Sequence, residues 1–378
     1  MNKRIMIIAG EISGDLHGAS LITELKKLDD TIEFYGIGGN NMRAAGMNIS
    51  HHINKMAFLG FAEIIKHLPF IKKVQKDLIY TIKNKGIRTV VLIDYPGFNL
   101  SIAKKLKKMG IKVIYYISPQ IWAWGAGRIK KIQRLIDRMM VVFPFEEEIY
   151  KKAGVDVQFV GHPLLDRISE YDYLSKSELY KKFNLDLGKE ILLILPGSRR
   201  DEVKKIFPEC IVAAEKIADE FNLQIVTACS ANIEEEFLEK ISDSRNFKII
   251  KGYTYDLMKH SKLGIVKSGT STLEAGLLGL PMVIVYKTSY LTYFIGKKMI
   301  KLNNIGMVNI VAGENIVEEL IQNRANIISI YNECKKILLD SSRLSSIKSK
   351  LNRLKEKLGS EGASRRAAKS IISVLNEA

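Results

Sequence analysis

The stretch Leu192-Leu-Ile-Leu-Pro-Gly-Ser-Arg-Arg-Asp-Glu202 decides the predicted fold of this 378-residue chain. Its four apolar residues predict a buried strand, the Pro-Gly pair predicts a turn, and the residues that follow have helical periodicity. Backbone N–H groups at a helix start, together with a guanidinium, favour phosphate. The stretch therefore predicts a phosphate-binding turn with three candidate ligands, Ser198, Arg199 and Arg200. The competing interpretation makes both arginines surface residues that pair with Asp201 and Glu202.

A second strand, Leu263-Gly-Ile-Val266, is followed by Lys-Ser-Gly-Thr-Ser-Thr and another helical pattern. Two predicted phosphate-binding loops in one half of the chain, here called cradles, predict a ligand that carries a diphosphate. Hydroxyls and amides of this second loop suit phosphate oxygens, and its candidate ligands are Ser268, Gly269, Thr270 and Ser271. Glu274 has two interpretations, either a hydrogen bond to a ribose hydroxyl or a capping box with Ser271 that ties it to its own helix.

Strands and helices alternate along the chain. The predicted strands are 4–9, 32–36, 90–94, 112–117, 139–143 and 157–160, then 191–195, 223–227, 247–250, 263–266 and 282–285. Predicted helices include 17–28, 99–109, 202–221, 233–241, 271–278 and 315–322. Continuous apolar strands separated by helices predict parallel sheets covered on both faces. The fold class is therefore α/β, with two doubly wound Rossmann-like domains facing across a cleft.

We expect domains at 1–168 and 169–345, followed by a basic helical tail at 346–378. The tail either packs back on the first domain or exchanges between the subunits of a homodimer. Ligands of such sheets bind beyond the carboxyl ends of the strands. Residues at the strand ends are therefore the candidates for the functional site.

Composition narrows the class of partner. The net charge is +17, and residues 1–165 carry 25 basic and 14 acidic side chains. This excess predicts anionic partners, either nucleic acid, phospholipid headgroups or phosphorylated substrates, unless it serves only solubility. The three cysteines fit a reducing compartment, and no metal-ligand spacing occurs. The short apolar run at the N-terminus predicts a first strand rather than a signal peptide, and no run is long enough to span a bilayer.

Asp94 follows the apolar strand Val90-Val-Leu-Ile93 and precedes Tyr-Pro-Gly. A carboxylate at this strand end is a candidate general base for a substrate hydroxyl. The alternative is a turn aspartate that bonds nearby backbone N–H groups. Sequence position alone does not decide between the two.

Three other segments carry weaker signals. The turn Gly10-Glu-Ile-Ser-Gly-Asp15 contains the candidate binding residue Ser13, but it lacks the dinucleotide glycine pattern. The segment 116–127 holds both tryptophans, and Trp122 is a candidate for an apolar acceptor pocket or for ordinary core packing. His162 is either a structural histidine at the domain junction or a catalytic residue.

Residues 56–74 combine apolar residues at helical spacing with lysines. Such a stripe either lies in an anionic membrane surface or faces the protein core. A second apolar and basic segment, 291–301, favours the membrane interpretation. The predicted membrane-associating residues are Phe58, Leu59, Phe61, Ile64, Ile65, Leu68, Lys72 and Lys73.

These motifs, in this order, resemble the lipid-A-disaccharide synthase family. The matching pieces are Gly10–Asp15, Gly36–Gly39, Asp94–Asn99, Ser118–Trp124, Phe159–Pro163, Leu195–Arg199, Ser268–Glu274 and the stretch around Asn309. They cover nearly the whole chain, which makes the resemblance specific. Gly97 departs from members that have a second acidic residue there.

The resemblance implies an inverting glycosyltransferase of the GT-B type that needs no metal and no cofactor. The implied donor is UDP-2,3-diacylglucosamine, and the implied acceptor is 2,3-diacylglucosamine 1-phosphate. The family's essential aspartate and arginine correspond to Asp94 and Arg199, and its UDP site corresponds to Ser268–Thr272 with Glu274 and Asn309 nearby. The implied location is cytoplasmic, peripheral on the inner membrane of a Gram-negative bacterium.

Two alternatives remain at this stage. A UDP-N-acetylglucosamine 2-epimerase-like enzyme would also have two α/β domains, but it would act on a soluble sugar. A non-catalytic protein that binds anionic lipid or nucleic acid would show salt-sensitive binding without UDP release. No nucleic-acid motif stands out, so a nucleic-acid partner is not expected.

Overall fold

The computed structural model describes residues 3–56, 68–121, 126–243, 245–288 and 304–376. The chain forms two compact units. The first comprises Met1–Ser169 together with Leu358–Ala378, and the second comprises Glu170–Lys357. Residues 346–357 thus belong to the second unit, and the chain returns to the first unit at Leu358.

Each unit contains one parallel sheet. The strands of the first are β1 Arg4–Ala9, β2 Glu33–Gly38, β3 Asn48–His52, β4 Thr89–Ile93, β5 Lys112–Tyr116, β6 Arg138–Val141 and β7 Val157–Phe159. Those of the second are β8 Glu190–Leu195, β9 Leu223–Cys229, β10 Lys248–Lys251, β11 Ser261–Lys267, β12 Met282–Tyr286 and β13 Glu319–Ile321. The strand orders are β3-β2-β1-β4-β5-β6-β7 and β10-β9-β8-β11-β12-β13.

Helices connect the strands. They are α1 Ile12–Leu28, α2 Asn40–Ala44, α3 Leu68–Lys85, α4 Pro96–Lys108, α5 Ile129–Leu135, α6 Pro144–Lys152, α7 Pro163–Ser169, α8 Lys176–Lys182, α9 Arg200–Phe221, α10 Glu235–Ile241, α11 Thr254–His260, α12 Thr270–Leu277, α13 Met307–Ala312, α14 Ile327–Leu339, α15 Ser341–Asn352, α16 Leu354–Lys357 and α17 Ala363–Asn376. The predicted α/β class with two Rossmann-like sheets is confirmed.

The central strands are buried along their length. The side chains from Ile5 to Ala9 in β1 and from Val90 to Ile93 in β4 have no solvent exposure. Burial on both faces explains why these strands appear in the sequence as continuous apolar runs. It also places the carboxyl ends of β1 and β4, which are hydrogen-bonded neighbours, side by side.

The sequence prediction was wrong at one helix and incomplete at two strands. The predicted helix 315–322 is instead the short strand β13, which pairs with β12 and is followed by a 3-10 turn. The spacing of its apolar residues fits both a helix and a strand, and pairing with the neighbouring strand makes the segment a strand. The edge strand β3 was missed because its sequence, Asn-Ile-Ser-His-His, carries little apolar signal.

Asp15 explains why two glycine motifs lie close together in the first unit. Its buried carboxylate accepts hydrogen bonds from the backbone N–H of Gly39 (2.6 Å), Asn41 (3.1 Å) and Met42 (3.1 Å), at the start of α2. The Asn41 side chain adds a fourth at 2.8 Å. A Cβ at Gly39 would approach Asp15 Oδ2 to 2.6 Å. Asp15 is therefore a structural carboxylate.

Replacing Asp15 by Ala is expected to lower the free energy of unfolding by about 3–5 kcal/mol, because several buried N–H groups lose their acceptor at once. Urea denaturation followed by circular dichroism measures this change. Asp30→Ala is the matched control, since Asp30 is exposed near the end of the same helix. Equal stability of the two variants would contradict the assignment.

The C-terminal segment is tied into the first unit by polar contacts. The Asp166 carboxylate accepts hydrogen bonds from the backbone N–H of Gly362 and Ser364, at 2.6 and 3.3 Å. The Arg366 guanidinium donates to the carbonyls of Val160 (2.7 Å) and Ser360 (2.6 Å). Helix α17 packs on α1. No helix within the described residues is long and apolar enough to cross a bilayer.

Candidate active site

Asp94 occupies a sharp turn between β4 and α4. Asp94 and Tyr95 both have left-handed backbone conformations, with φ of 43° and 45°. Such conformations are strained for residues other than glycine and persist only where surrounding contacts hold them. The Tyr115 hydroxyl and the Asn99 amide both donate to the Asp94 carbonyl, at 2.5 and 2.7 Å. The turn is thus fixed through its backbone.

The neighbouring side chain, Tyr95, completes the turn. Its hydroxyl donates to the Met56 carbonyl at 2.9 Å. Its ring lies against Gly10, where a Cβ would come within 2.2 Å of a ring carbon. Gly10 directly follows β1, so the first sequence motif and the Asp94 motif meet at the carboxyl ends of adjacent strands. The predicted ligand Ser13 is exposed in the first turn of α1 beside this meeting point.

The carboxyl group of Asp94 has a raised pKa. Burial and, to a smaller extent, the negative charge of Glu11 together raise its pKa from 3.8 to about 6. A hydrogen bond with the Tyr95 backbone acts in the opposite direction. A carboxylate with a pKa closer to neutral pH is a stronger base than an exposed aspartate. The simple turn-aspartate alternative does not explain why a partly buried carboxyl group lies where the charge of Glu11 raises its pKa.

The raised pKa predicts an acidic limb in the activity profile. Because only ionised Asp94 accepts a proton, kcat/KM is expected to fall about tenfold per pH unit below about pH 6. A pH series of initial rates measures the break. A break near pH 4 would mean that Asp94 titrates as an ordinary exposed aspartate. Glu11→Gln removes the second charge and is expected to move the break to lower pH.

In the second unit, the strand β8 ends in the Pro-Gly-Ser-Arg turn that begins α9. Arg199 is the residue before the helix, and its side chain is 52% exposed. Its Nη1 lies 3.4 Å from Glu202 Oε1, which is a weak contact. Ser198 is exposed in the same turn. Arg199 is therefore free to reorient toward an anion.

Arg200 points elsewhere. Its guanidinium pairs with Glu234 at 3.0 Å and lies 4.2 Å from the centroid of the Phe237 ring. Both contacts are to the region of α10. Of the two predicted arginines, Arg199 is thus the one that remains available at the helix start.

The second predicted cradle lies at the carboxyl end of β11, next to β8 in the sheet. Ser268 donates its hydroxyl to the Ile305 carbonyl at 2.9 Å, which holds the loop before α13. Gly269 precedes α12, and Thr270 is exposed as the first residue of that helix. Ser271 donates to the Lys267 carbonyl at 3.3 Å. The hydroxyls of Ser268 and Ser271 therefore form hydrogen bonds that stabilise the conformation of this loop.

Glu274 does not form the capping box that was one of its two interpretations. The residue before α12 is Gly269, without a side-chain cap, and the Glu274 carboxylate accepts a hydrogen bond from the Tyr255 hydroxyl at 3.0 Å. The capping interpretation was wrong because the helix begins one residue before Ser271.

Asn309 is buried and is engaged by the protein itself. Its amide nitrogen donates to the Val317 carbonyl and to Glu319 Oε1, both at 2.8 Å. Its oxygen accepts from the N–H of Ile316 (2.9 Å) and of Val317 (3.2 Å). These four bonds match the full capacity of an amide side chain. Asn309 therefore ties α13 to the segment 316–319 rather than presenting its amide to a ligand, and Glu319 in turn accepts the N–H of Ile305 at 2.8 Å.

His162 is a buried structural residue in the first unit. Its Nδ1 accepts a hydrogen bond from the Leu164 N–H at 3.1 Å, at the start of α7, and its ring packs on Phe143. Burial, followed by the positive charges of His17 and Arg167, lowers its pKa to about 3. A histidine that stays neutral across physiological pH fits the structural interpretation.

The remaining predicted residues fall into two groups. Trp122, Phe58, Leu59, Phe61, Ile64 and Ile65 lie outside the described residues. Leu68, Lys72 and Lys73 lie in the first turns of α3, where Leu68 is 44% exposed and both lysines are exposed. Among the described residues, no group of three histidine, cysteine, aspartate or glutamate side chains is arranged to hold a metal ion.

A comparison with known families decides the identity of the chain. Residues 5–374 match the family model described as lipid-A-disaccharide synthetase. The chain belongs to this family. A lipid-A-disaccharide synthase of Geobacter metallireducens is 42% identical over 379 positions, covering 100% of this chain and 98% of that one. One of Coxiella burnetii is 40% identical, covering 99% of each. The chain is accordingly a lipid A biosynthetic glycosyltransferase.

Solved structures support the fold alone. A putative UDP-N-acetylglucosamine 2-epimerase from Listeria monocytogenes superposes with a TM-score of 0.71 at 13% identity, covering 100% of this chain and 98% of that one. A calicheamicin glycosyltransferase gives 0.62 at 13% identity, covering 99% and 98%. Both sequence identities are too low to carry substrate or residue roles. The GT-B architecture expected from the family resemblance is confirmed.

Sequence reasoning missed several supporting residues. Glu11, Tyr115 and Asn99 set the charge and the backbone of the Asp94 turn. Lys267, at the end of β11, directly precedes the second predicted phosphate-binding loop, but the sequence analysis did not name it as a candidate ligand. Its position immediately before Ser268 at a strand end was the available signal.

Proposed function

We propose that this chain joins UDP-2,3-diacylglucosamine to 2,3-diacylglucosamine 1-phosphate, which yields a β-1,6-linked disaccharide 1-phosphate and UDP. Membership of the lipid-A-disaccharide synthetase family supports the general activity. The single observation that carries the mechanism is the partly buried, strained Asp94, whose pKa is raised to about 6. A general base of this kind suits a reaction in which a hydroxyl must become a nucleophile.

In the proposed reaction, Asp94 accepts the proton of the acceptor 6-hydroxyl as its oxygen attacks the donor anomeric carbon. The bond from that carbon to the diphosphate breaks, and UDP leaves from the opposite face. One displacement of this kind inverts the anomeric configuration. The catalytic base regains its ionised state when the proton passes to solvent.

Arg199 and the two strand-end loops bind the donor diphosphate in this proposal. Positive charge placed where the leaving group gains negative charge lowers the barrier to bond cleavage. Backbone N–H groups at the starts of α9 and α12 add to this effect. Glu274 is assigned to the ribose, and Asn309 acts indirectly through its hydrogen bond to Glu319, whose carboxylate accepts the N–H groups of Ile305 and Gly306.

We also propose that the chain works at an anionic membrane surface, on the cytoplasmic face of the inner membrane. Both proposed substrates carry acyl chains. The start of α3 supports this assignment, because Leu68 is exposed beside the exposed Lys72 and Lys73. Apolar and basic side chains together favour anionic headgroups.

The test of the proposed reaction is to identify its product. Both lipid substrates are dispersed in detergent, and the product is analysed by mass spectrometry and by NMR of the new anomeric centre. A β-linked disaccharide 1-phosphate supports the proposal. An α linkage would overturn the single-displacement mechanism. Conversion of soluble UDP-N-acetylglucosamine to its 2-epimer, without disaccharide formation, would favour the epimerase alternative.

A further inference from the structure

Lys267 is a mostly buried cation in the second unit. It is the last residue of β11 and directly precedes the loop that begins with Ser268. Its side chain is only 13% exposed, and its Nζ lies 2.8 Å from Glu202 Oε2. A lysine in such a place loses much of its hydration, and the cost is offset only by close contact with negative charge.

The side chain of Lys267 extends between the two strand-end loops. Its Cδ lies 3.3 Å from the position that a Cβ would take on Gly197, in the Pro-Gly-Ser-Arg turn. Its Nζ lies 3.8 Å from the equivalent position on Gly269, in the second loop. The ammonium group is also 5.6 Å from the centroid of the Tyr286 ring, at the end of the neighbouring strand β12. The group is thus placed where both loops meet.

Glu202 connects this lysine to Arg199. One carboxylate oxygen contacts Lys267 at 2.8 Å, and the other lies 3.4 Å from Arg199 Nη1. One negative charge therefore faces two positive charges, and the three side chains together carry a net charge of +1. A purely structural role for the pair accounts for Glu202, since acidic residues are favourable in the first turn of a helix. It does not account for a second cation beside the same carboxylate.

We propose that Lys267 contacts the diphosphate of the nucleotide donor, with Glu202 holding Lys267 and Arg199 in place until the donor binds. This inference rests on the proposed function, because it concerns the same donor site. The diphosphate oxygens take up the position of the Glu202 carboxylate around the two cations. The weak 3.4 Å contact of Arg199 is exchanged first, and Lys267 supplies a fixed point charge deeper in the turn.

The test compares the binding of UDP with that of uridine, which lacks the phosphates. Lys267→Met is expected to weaken UDP binding about 10- to 100-fold, the usual effect of losing a charged hydrogen bond. Uridine binding should be unchanged, and the salt dependence of UDP binding should become shallower. Lys267→Arg keeps the charge and is expected to restore most of the affinity. Calorimetry measures each dissociation constant.

Lys262→Met is the matched control. Lys262 lies on the same strand, near its opposite end, and pairs with Glu190 at 3.0 Å. The Lys262→Met variant should leave the affinities for UDP and for uridine unchanged. Circular dichroism melting checks that each variant is folded, and if Lys267→Met fails to fold, Lys267→Gln takes its place.

Two results with the Lys267 variants would overturn the inference. One is an equal loss of UDP and uridine affinity in the Lys267 variants, which would make the lysine a support of the loop. The other is unchanged UDP affinity. If wild-type protein binds uridine and UDP equally weakly, the proposed donor site fails and this inference fails with it. Wild-type binding is measured first, so the two failures are distinguishable.

Discussion

Asp94→Asn is expected to lower the rate of acceptor-dependent UDP release by about 10²- to 10⁴-fold, the usual contribution of a general base. The amide keeps the size of the side chain but does not accept a proton at neutral pH. UDP affinity should be unchanged, because the proposed donor contacts belong to other residues. Initial rates and calorimetry on the same preparation separate the two effects.

The same substitution is expected to stabilise the folded protein at pH 8. A carboxyl group whose pKa is raised on folding is most favourable below its unfolded pKa, near 3.8; the free energy of unfolding falls as pH rises from there, and the loss is complete above about pH 6. The shift corresponds to at most about 3 kcal/mol at full ionisation. Asparagine carries no charge and tolerates the left-handed backbone at this position. Urea denaturation at pH 8 measures the difference.

Asp30→Asn serves as the control for loss of a carboxylate, because Asp30 is exposed. It should change neither the rate nor the stability by a measurable amount. If Asp94→Asn keeps full activity, Asp94 is not the base. If it is inactive and also less stable at pH 8, the carboxylate serves the turn, and the turn-aspartate interpretation is the correct one.

Arg199→Ala is expected to lower kcat by about 10²- to 10³-fold, as removal of a group that stabilises transition-state charge usually does. UDP affinity should fall less than kcat, because negative charge on the diphosphate grows as the bond to the sugar breaks. The initial rate at saturating donor and the affinity for UDP are the two quantities to compare.

Arg200→Ala gives the matched comparison for Arg199. The Arg200 guanidinium pairs with Glu234 and stacks on Phe237, and exposed ion pairs of this kind contribute little. Its effect on kcat should therefore be far smaller than that of Arg199→Ala. Equal losses in the two variants would mean that the turn as a whole matters, and the specific role of Arg199 would be wrong.

The pattern of apolar residues predicted some strands much better than others. Central strands such as β1 and β8 are buried on both faces, so their apolar runs were unmistakable. The short strand β13 pairs through its backbone with β12, and three residues of ambiguous pattern do not reveal such pairing. The edge strand β3 is half exposed and polar. Both strands that the sequence prediction missed are therefore edge strands with a weak apolar pattern.

In the candidate site, too, local features were predictable from the sequence and tertiary contacts were not. Asp94 and Arg199 were identifiable because a strand end, a turn and a reactive side chain coincide in the sequence. The contacts of Glu274 with Tyr255 and of Asn309 with Glu319 depend on how the chain folds between distant or separate elements. The pKa of Asp94 depends on burial and on Glu11, more than eighty positions earlier in the printed sequence. These contacts and this pKa shift arise from tertiary structure, so no local sequence pattern predicts them.

The most direct test of the central claim is the acceptor dependence of UDP release by the wild-type protein, measured with UDP-2,3-diacylglucosamine in detergent and with EDTA present. The proposed transfer predicts release only when 2,3-diacylglucosamine 1-phosphate is added, with one UDP formed per acceptor consumed. Release at the same rate without acceptor, or none with folded protein and both lipids dispersed, would contradict the account.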